Sequence, residues 1–149
     1  MTTRRKLLAL AAASPFLLHL QLRPVFATPE KMQQAIEAFT GGGPMQEGGI
    51  TLEIPLLVEN GNAVPMTVTI DSPMTEDDYV PEIAVFNEAN PWPEVATFHF
   101  TPWSGRAEAQ TRIRLSDSQS IHAVARMHDG SFRHTATSVI VTAPACAET

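Results

Sequence analysis

Cysteine is nearly absent from this chain: its 149 residues contain one, Cys146. A single cysteine excludes an internal disulfide, so the fold must be held together by packing. Basic residues are also scarce, with 10 Lys and Arg against 16 Asp and Glu. Because binding to a phosphate backbone needs clustered Lys and Arg, this composition excludes nucleic acid as a predicted partner.

A long apolar run occurs only near the N-terminus, from Leu7 to Leu22. Twin arginines, Arg4 and Arg5, precede it, and the small-residue pattern Val25-Phe26-Ala27 follows it. This arrangement predicts a twin-arginine export signal over residues 1–27, cleaved after Ala27, and hence a periplasmic protein. A transmembrane helix is the weaker alternative, because polar residues and a proline interrupt the run. After cleavage we expect a strongly acidic chain with no membrane contact.

A short helix is predicted next, within a segment that spans residues 28–43. Thr28 is a good N-cap, and Pro29 suits the first turn of a helix. Apolar residues then recur at helical spacing, at Met32, Ala35, Ile36 and Phe39. The run Gly41-Gly42-Gly43 predicts the end of the helix and a hinge.

Beyond the glycines the apolar residues alternate, which is typical of strands. Residues 51–58 and 64–70 predict a hairpin, with the turn at Glu59-Asn60-Gly61-Asn62. Further strands are predicted at residues 82–87, 95–101, 107–115, 120–128 and 132–142. Seven strands without a second helix predict an all-β, immunoglobulin-like antiparallel β-sandwich over residues 44–142. Parallel pairing is not expected, because it usually requires crossover helices.

The candidate functional residue is Cys146, in a C-terminal arm predicted over residues 143–149. Pro144, Ala145, Ala147 and Glu148 flank it and form no recognisable element. Terminal segments are usually loose, so we expect a flexible arm and an exposed thiol. No cation or helix N-terminus is available locally to favour the thiolate. Such a thiol suits a carrier whose partner enzymes supply the activation.

The sequence supports neither catalysis nor a metal site. The histidines that follow the leader are His99, His122, His128 and His134. They are expected on the solvent faces of strands, and no Cys–His pair can be argued from their spacing. We therefore predict no enzyme activity, no cofactor and no metal. Two alternatives stay open: a copper-binding sandwich that uses His99, His122 and His128, and an interaction module with an incidental cysteine. For the module, Trp92 and Trp103 would either anchor an interface or cap the core.

Several blocks of sequence resemble the SoxY family of sulfur carriers. They are Ile54-Pro55-Leu56-Leu57-Val58-Glu59-Asn60-Gly61-Asn62, Val64-Pro65-Met66-Thr67-Val68, Asp71-Ser72-Pro73-Met74-Thr75, Val85-Phe86-Asn87-Glu88-Ala89-Asn90-Pro91, Arg112-Ile113-Arg114-Leu115-Ser116-Asp117-Ser118-Gln119 and Asp129-Gly130-Ser131-Phe132. The resemblance covers the whole length of the chain. It implies a periplasmic immunoglobulin-like subunit that pairs with a second sandwich protein, SoxZ.

The resemblance also implies a role for Cys146: it would carry sulfur intermediates of thiosulfate oxidation between periplasmic sulfur-oxidation enzymes. The arm departs from the usual Gly-Gly-Cys-Gly-Gly ending of the family. It is more similar to a SoxY-related subgroup that ends in Ala-Ala-Cys-Ile-Glu, with matches at Ala145, Cys146 and Glu148. Pro144 and Ala147 differ from that pattern, and a proline stiffens the base of the arm.

Overall fold

Alternating apolar residues build two sheets that face each other across one core. The computed structural model describes residues 28–145. Helix α1 spans Pro29–Thr40, and nine strands follow it within the described residues. The strands are β1 (Met45–Glu47), β2 (Ile50–Glu53), β3 (Leu57–Val58), β4 (Val64–Ile70), β5 (Glu82–Asn87), β6 (Glu94–His99), β7 (Ala107–Ile113), β8 (Gln119–Arg126) and β9 (Phe132–Val141).

The sandwich predicted from the sequence is confirmed. The larger sheet has the strand order β1-β9-β8-β5-β6, with β3 also paired to β9, and the smaller sheet has the order β2-β4-β7. Strands β8 and β9 form the predicted hairpin around Asp129-Gly130, in which Ile121 pairs with Thr137. Two short ladders differ from the expectation, because β1 and β3 pair with β9 in parallel. No crossover helix is needed, since most of the domain lies between the paired segments.

The main core lies between the two sheets. Strand β4 contributes Val64, Met66 and Val68, each at most 1% exposed, as the alternating pattern predicts. Ile83 of β5 and Ile121 of β8 face them from the larger sheet and are fully buried. Burial of such apolar surface supplies the main stabilisation, at roughly 25 cal/mol per Å².

The predicted hairpin over residues 51–58 and 64–70 is only half correct. Strand β2 pairs with β4, from Ile50 opposite Ile70 to Glu53 opposite Thr67. At Pro55 the chain leaves this sheet, because proline has no N–H for a strand ladder. Leu57 and Val58 then join β9 of the other sheet. The change of sheet brings the following turn towards the C-terminal segment.

Helix α1 confirms the predicted N-terminal helix. The Thr28 side chain accepts a hydrogen bond from the Lys31 N–H, and Gly41 ends the helix in a left-handed conformation with φ 64°. The buried face of α1 packs on the outer side of the larger sheet. This second apolar cluster contains Met32, Ile36, Ala84, Phe86 and Val124, with Ala35, Phe39, Met45 and Phe132 at its margin. No helix among residues 28–145 is long and apolar enough to cross a membrane.

Candidate functional site

The chain that leads to Cys146 is fixed to the body of the sandwich. After β9, the Thr142 N–H donates to the Val58 carbonyl at 2.9 Å. The Gly61 N–H then donates to the Ala143 carbonyl at 2.8 Å, and the Ala145 N–H donates to the Leu115 carbonyl at 2.9 Å. The Leu115 N–H completes the set by donating to the Gly61 carbonyl at 2.8 Å. We call the backbone contacts among Gly61, Leu115, Ala143 and Ala145 the C-terminal clasp.

Gly61 is a glycine because the clasp leaves no room for a side chain. A Cβ atom at this position would lie 2.7 Å from the Ala145 nitrogen and 3.1 Å from the Ala143 oxygen, and it would overlap the Leu115 oxygen. These neighbours are all backbone atoms, which cannot rotate away as a side chain can. The turn is also fixed locally, since the Asn60 side chain accepts a hydrogen bond from the Asn62 N–H at 3.0 Å.

The clasp changes the predicted extent of the arm. The sequence predicts a flexible arm that begins at residue 143, but Ala145 is only 7% exposed and is hydrogen-bonded to Leu115. Pro144 lies between the two clasped alanines and is exposed. The physical reason is that main-chain groups make these bonds, so the side chains give no sign of them. Cys146, Ala147 and Glu148 lie outside the described residues, as does the predicted export signal over residues 1–27.

A polar network connects the loops around the clasp. The Asn90 side-chain amide donates to the Arg114 carbonyl at 2.7 Å and accepts from the Ser116 N–H at 3.0 Å. The Ser118 hydroxyl accepts the Val141 N–H at 2.9 Å, just before the clasp. The loops after β5 and β7 and the end of β9 are therefore connected at one end of the sandwich.

Two histidines meet on the outer face of the larger sheet. The His122 Nδ1 atom lies 3.0 Å from the His134 Nε2 atom, and both side chains are half-buried. Burial lowers the pKa of His122 below its usual value of 6.5; the charge of His134 adds to this, and Glu88 opposes it. Burial also lowers the pKa of His134, against an opposing effect of Glu47. The expectation that these are simple surface residues is therefore wrong for this pair.

The remaining histidines, His99 and His128, contact other side chains, and the described residues assemble no metal site. His99 is exposed, with its Nδ1 atom 3.5 Å from a Glu82 carboxylate oxygen. The His128 ring packs against Tyr79 at 4.8 Å between ring centroids. Among residues 28–145, no three or more His, Cys, Asp or Glu side chains are grouped so that they could hold a metal ion. The three histidines of the copper alternative are thus not assembled into a site in this part of the chain.

Large apolar side chains are exposed in three places. Trp92 and Trp103 are 78% and 90% exposed, so they do not cap the core. Leu56, Leu57 and Ile140 are 66%, 57% and 60% exposed. Leu57 pairs with Ile140 in the β3–β9 ladder, and the Ile140 N–H donates to the Leu56 carbonyl. We call these three residues the apolar patch; it lies on β3, on the residue before it and on β9, the segments that lead to the clasp.

Sequence reasoning missed the clasp residues Gly61 and Leu115 and the contact between His122 and His134. A signal for the histidine contact was present, because the Asp129-Gly130 turn fixes the register of β8 and β9. In that register His134 lies opposite Val124, one diagonal step from His122. For the clasp, an Asn-Gly turn was the only signal in the sequence.

Solved structures show the same fold. The structure is similar to a superoxide reductase (neelaredoxin) from Ignicoccus hospitalis, with a TM-score of 0.56, 15% identity and coverage of 78% of this chain and 95% of that one. A superoxide reductase from Nanoarchaeum equitans has a TM-score of 0.55 and 10% identity, and the match covers 64% of this chain and 100% of that one. At these identities the likeness establishes the β-sandwich fold and nothing about activity. No curated protein sequence matches the chain.

The sequence itself identifies the family. Residues 36–146 match the family described as "Sulfur oxidation protein SoxY". The match covers most of the 149 residues, and it ends at the cysteine. The chain therefore belongs to the SoxY family. Membership points to a sulfur-oxidation carrier protein rather than a catalyst.

Proposed function

We propose that this chain is a periplasmic carrier that holds a sulfur intermediate of the thiosulfate-oxidation type covalently on Cys146. The observation that carries the proposal is the SoxY match, which extends to Cys146 itself. The clasp supports it, because it delivers the chain to Ala145 at a fixed place on the body. Covalent geometry puts the Cys146 Cα about 3.8 Å from that of Ala145. The last described residue before the cysteine, Ala145, is therefore held at one end of the sandwich.

In this function the protein performs no reaction alone. A cytochrome-linked partner would join the Cys146 sulfur to the outer sulfur of thiosulfate and accept two electrons. A hydrolase would then release the terminal sulfonate as sulfate. The carrier contributes the position of the attached group. Because the clasped residues are already ordered, holding them in place at each encounter costs no further conformational entropy. Because Ala145 is anchored, a partner enzyme must approach the surface of the sandwich closely to reach the thiol.

The matching experiment is mass spectrometry of the mature chain after incubation with thiosulfate and a periplasmic extract from sulfur-oxidising cells. We expect a mass increase of one thiosulfate group on wild-type protein and none on Cys146→Ser. Ala147→Ser is the control, because it alters the neighbour and leaves the thiol. An unmodified Cys146 under all sulfur substrates, or full pathway activity with Cys146→Ser, would rule out the carrier.

A second sandwich subunit of the SoxZ type is part of the proposal. The apolar patch supports it, because three large exposed side chains in one group are typical of an interface. Ile140→Asp places a charge in the patch, and we expect at least a tenfold weaker complex with the partner by calorimetry. Trp103→Ala is the control: it removes an apolar side chain outside the patch that is even more exposed, at 90% against 60% for Ile140, and it should change nothing. Equal affinity for Ile140→Asp and wild type would exclude this surface.

The alternative is an interaction module in which the cysteine is incidental. The exposure of Trp92 and Trp103 favours it, since exposed tryptophans often anchor interfaces. It predicts the opposite result in the same assays: Cys146→Ser would keep function, whereas Trp92→Ala or Trp103→Ala would lose it.

A further inference from the structure

A groove of about 340 Å³ lies between β6 and β7. β6 lies at one edge of the larger sheet and β7 at one edge of the smaller sheet, so the groove opens on one side of the sandwich. Its lining comes from the loop after β5, from β6, and from the end of β7. The lining residues that the argument uses are Asn87, Asn90, Glu94, Arg112 and Arg114.

Asn87 presents a donor to this groove that nothing in the described chain satisfies. The residue is 1% exposed, and among residues 28–145 its Nδ2 atom has no hydrogen-bond partner. The orientation of the amide is fixed, because its Oδ1 atom accepts the Asn90 N–H at 3.2 Å. Buried amide donors are almost always paired, so an unpaired one beside a groove indicates a missing acceptor.

The groove also gathers two arginines that have no carboxylate partner among residues 28–145. The ion pairs within residues 28–145 involve Arg106, Arg126 and His99, and neither Arg112 nor Arg114 takes part. Both arginines are exposed, and the main chain of Arg114 is held by the Asn90 side chain at 2.7 Å. Glu94 brings one negative charge, which leaves the lining with an excess of positive charge. Guanidinium and amide donors together suit an oxyanion.

The groove lies beside the clasp. Arg114 immediately precedes Leu115, whose carbonyl accepts the Ala145 N–H at 2.9 Å. Cys146 follows Ala145, and a thiosulfate group on its sulfur would end in a sulfonate. We propose that the β6–β7 groove binds this sulfonate, through the Asn87 amide and the guanidinium groups of Arg112 and Arg114. The inference rests on the proposed carrier function and adds a resting site for the cargo.

The first experiment tests the groove without any cargo. The mature Cys146→Ser chain is titrated with sodium thiosulfate or sulfate at constant ionic strength, balanced with chloride, and followed by NMR of amide and guanidinium groups. We expect saturable shifts at the Asn87 side chain, at least tenfold weaker binding for Arg112→Gln/Arg114→Gln, and tighter binding for Glu94→Gln. Arg106→Gln, whose guanidinium pairs with Glu108 outside the groove, is the matched control. Absence of saturable shifts, or equal weakening by Arg106→Gln, would overturn the site.

The second experiment tests the cargo itself. The thiolate of Cys146 attacks tetrathionate, forms a disulfide bond to one half of it and releases thiosulfate, so loading needs no partner enzyme. We expect dithiothreitol to remove this group several-fold faster from Arg112→Gln/Arg114→Gln than from wild type or Arg106→Gln. Equal rates would overturn the cargo site even if partner enzymes load Cys146. Failure of enzymatic loading, with unequal rates here, would instead contradict the carrier function alone.

Discussion

The two terminal segments of the described chain are attached to the same sandwich by different forces. Helix α1 is attached by side chains, with Met32 and Ile36 buried against Phe86 of the larger sheet. The C-terminal segment is attached by main-chain hydrogen bonds, from Ala143 and Ala145 to their clasp partners. The first attachment excludes water from apolar surface, and the second satisfies backbone polar groups.

The difference determines what each attachment can do. An apolar contact spread over several side chains tolerates small shifts of the helix. The clasp depends on a few directional bonds and on the missing side chain at Gly61, so it defines one position for the chain. That precision suits the proposed function, in which the residue after Ala145 carries the sulfur intermediate. It also leaves the side chain of Pro144 free to vary, because no clasp bond uses it.

The largest loss of stability is expected when the attachment of helix α1 is broken. Phe86 is 1% exposed and contacts Phe39 of α1, with 6.0 Å between ring centroids. Phe86→Ala removes this contact and leaves a cavity, so we expect a loss of about 4 kcal/mol in the free energy of unfolding. Urea unfolding measures this loss. Glu37→Ala, on the exposed face of the same helix, is the control and should cost less than about 0.5 kcal/mol.

Hydrogen exchange then tests whether the two attachments are separate. In Phe86→Ala the amides of α1 should lose protection, while the Ala145 N–H should keep its protection relative to global unfolding. Equal loss of amide protection in α1 and at Ala145 would show that the two segments open together and are not attached independently.

A smaller loss of stability is expected when the clasp is broken. Gly61→Ala forces a methyl group among three backbone atoms, and we expect a loss of about 2 kcal/mol in the free energy of unfolding. Gly105→Ala is the matched control. A methyl group at Gly105 would meet no atom within 4 Å, but the residue has a φ of +72°, so this change tests backbone strain alone, at roughly 1 kcal/mol. In Gly61→Ala the Ala145 N–H should exchange faster while α1 stays protected. If Gly61→Ala proves no costlier than Gly105→Ala, the close packing of the clasp is contradicted.

The helix attachment could be predicted from the sequence, whereas the clasp could not. Met32, Ile36 and Phe39 recur at helical spacing, and side-chain chemistry encodes their burial directly. A main-chain hydrogen bond uses groups that every residue except proline carries in full, so the sequence of Ala143 and Ala145 contains no record of it. Only the glycine at position 61 left a trace, and an Asn-Gly turn accounts for a glycine equally well.

The sheet change at Pro55 escapes prediction for a related reason. In the sequence this proline indicates an edge or a bulge of one continuous strand, and the alternation of Leu52, Ile54, Leu56 and Val58 supports that interpretation. Pairing of Leu57 and Val58 with β9 depends on contacts far along the chain. Strand periodicity identifies a strand but does not identify its neighbour.

The last prediction uses pH to separate the clasp from the histidine pair, which lies on the face of the larger sheet that α1 covers. His122 lies opposite Phe86 in the β5–β8 ladder, on the face that α1 covers, and contacts His134. Burial lowers the pKa of both rings below 6.5 in the folded protein, so the unfolded chain binds more protons as the pH falls through this range. Their contribution to stability is complete above pH 6.5, and it is lost as the pH falls through the lowered values. The clasp consists of backbone groups, which do not titrate there.

We therefore expect the free energy of unfolding to fall as the pH is lowered from about 7.5 to 5, and His122→Asn/His134→Gln to flatten this dependence. Asn and Gln place a polar atom near the interacting Nδ1 and Nε2 positions without a proton to gain. His99→Gln is the control, because His99 is exposed on β6 and away from the pair. Exchange of the amides of β5 and β8, corrected for its intrinsic pH dependence, should rise in acid relative to that of Ala145. Acid opening of the Ala145 N–H ahead of those strands would contradict the expectation that the clasp is insensitive to titration of the histidine pair.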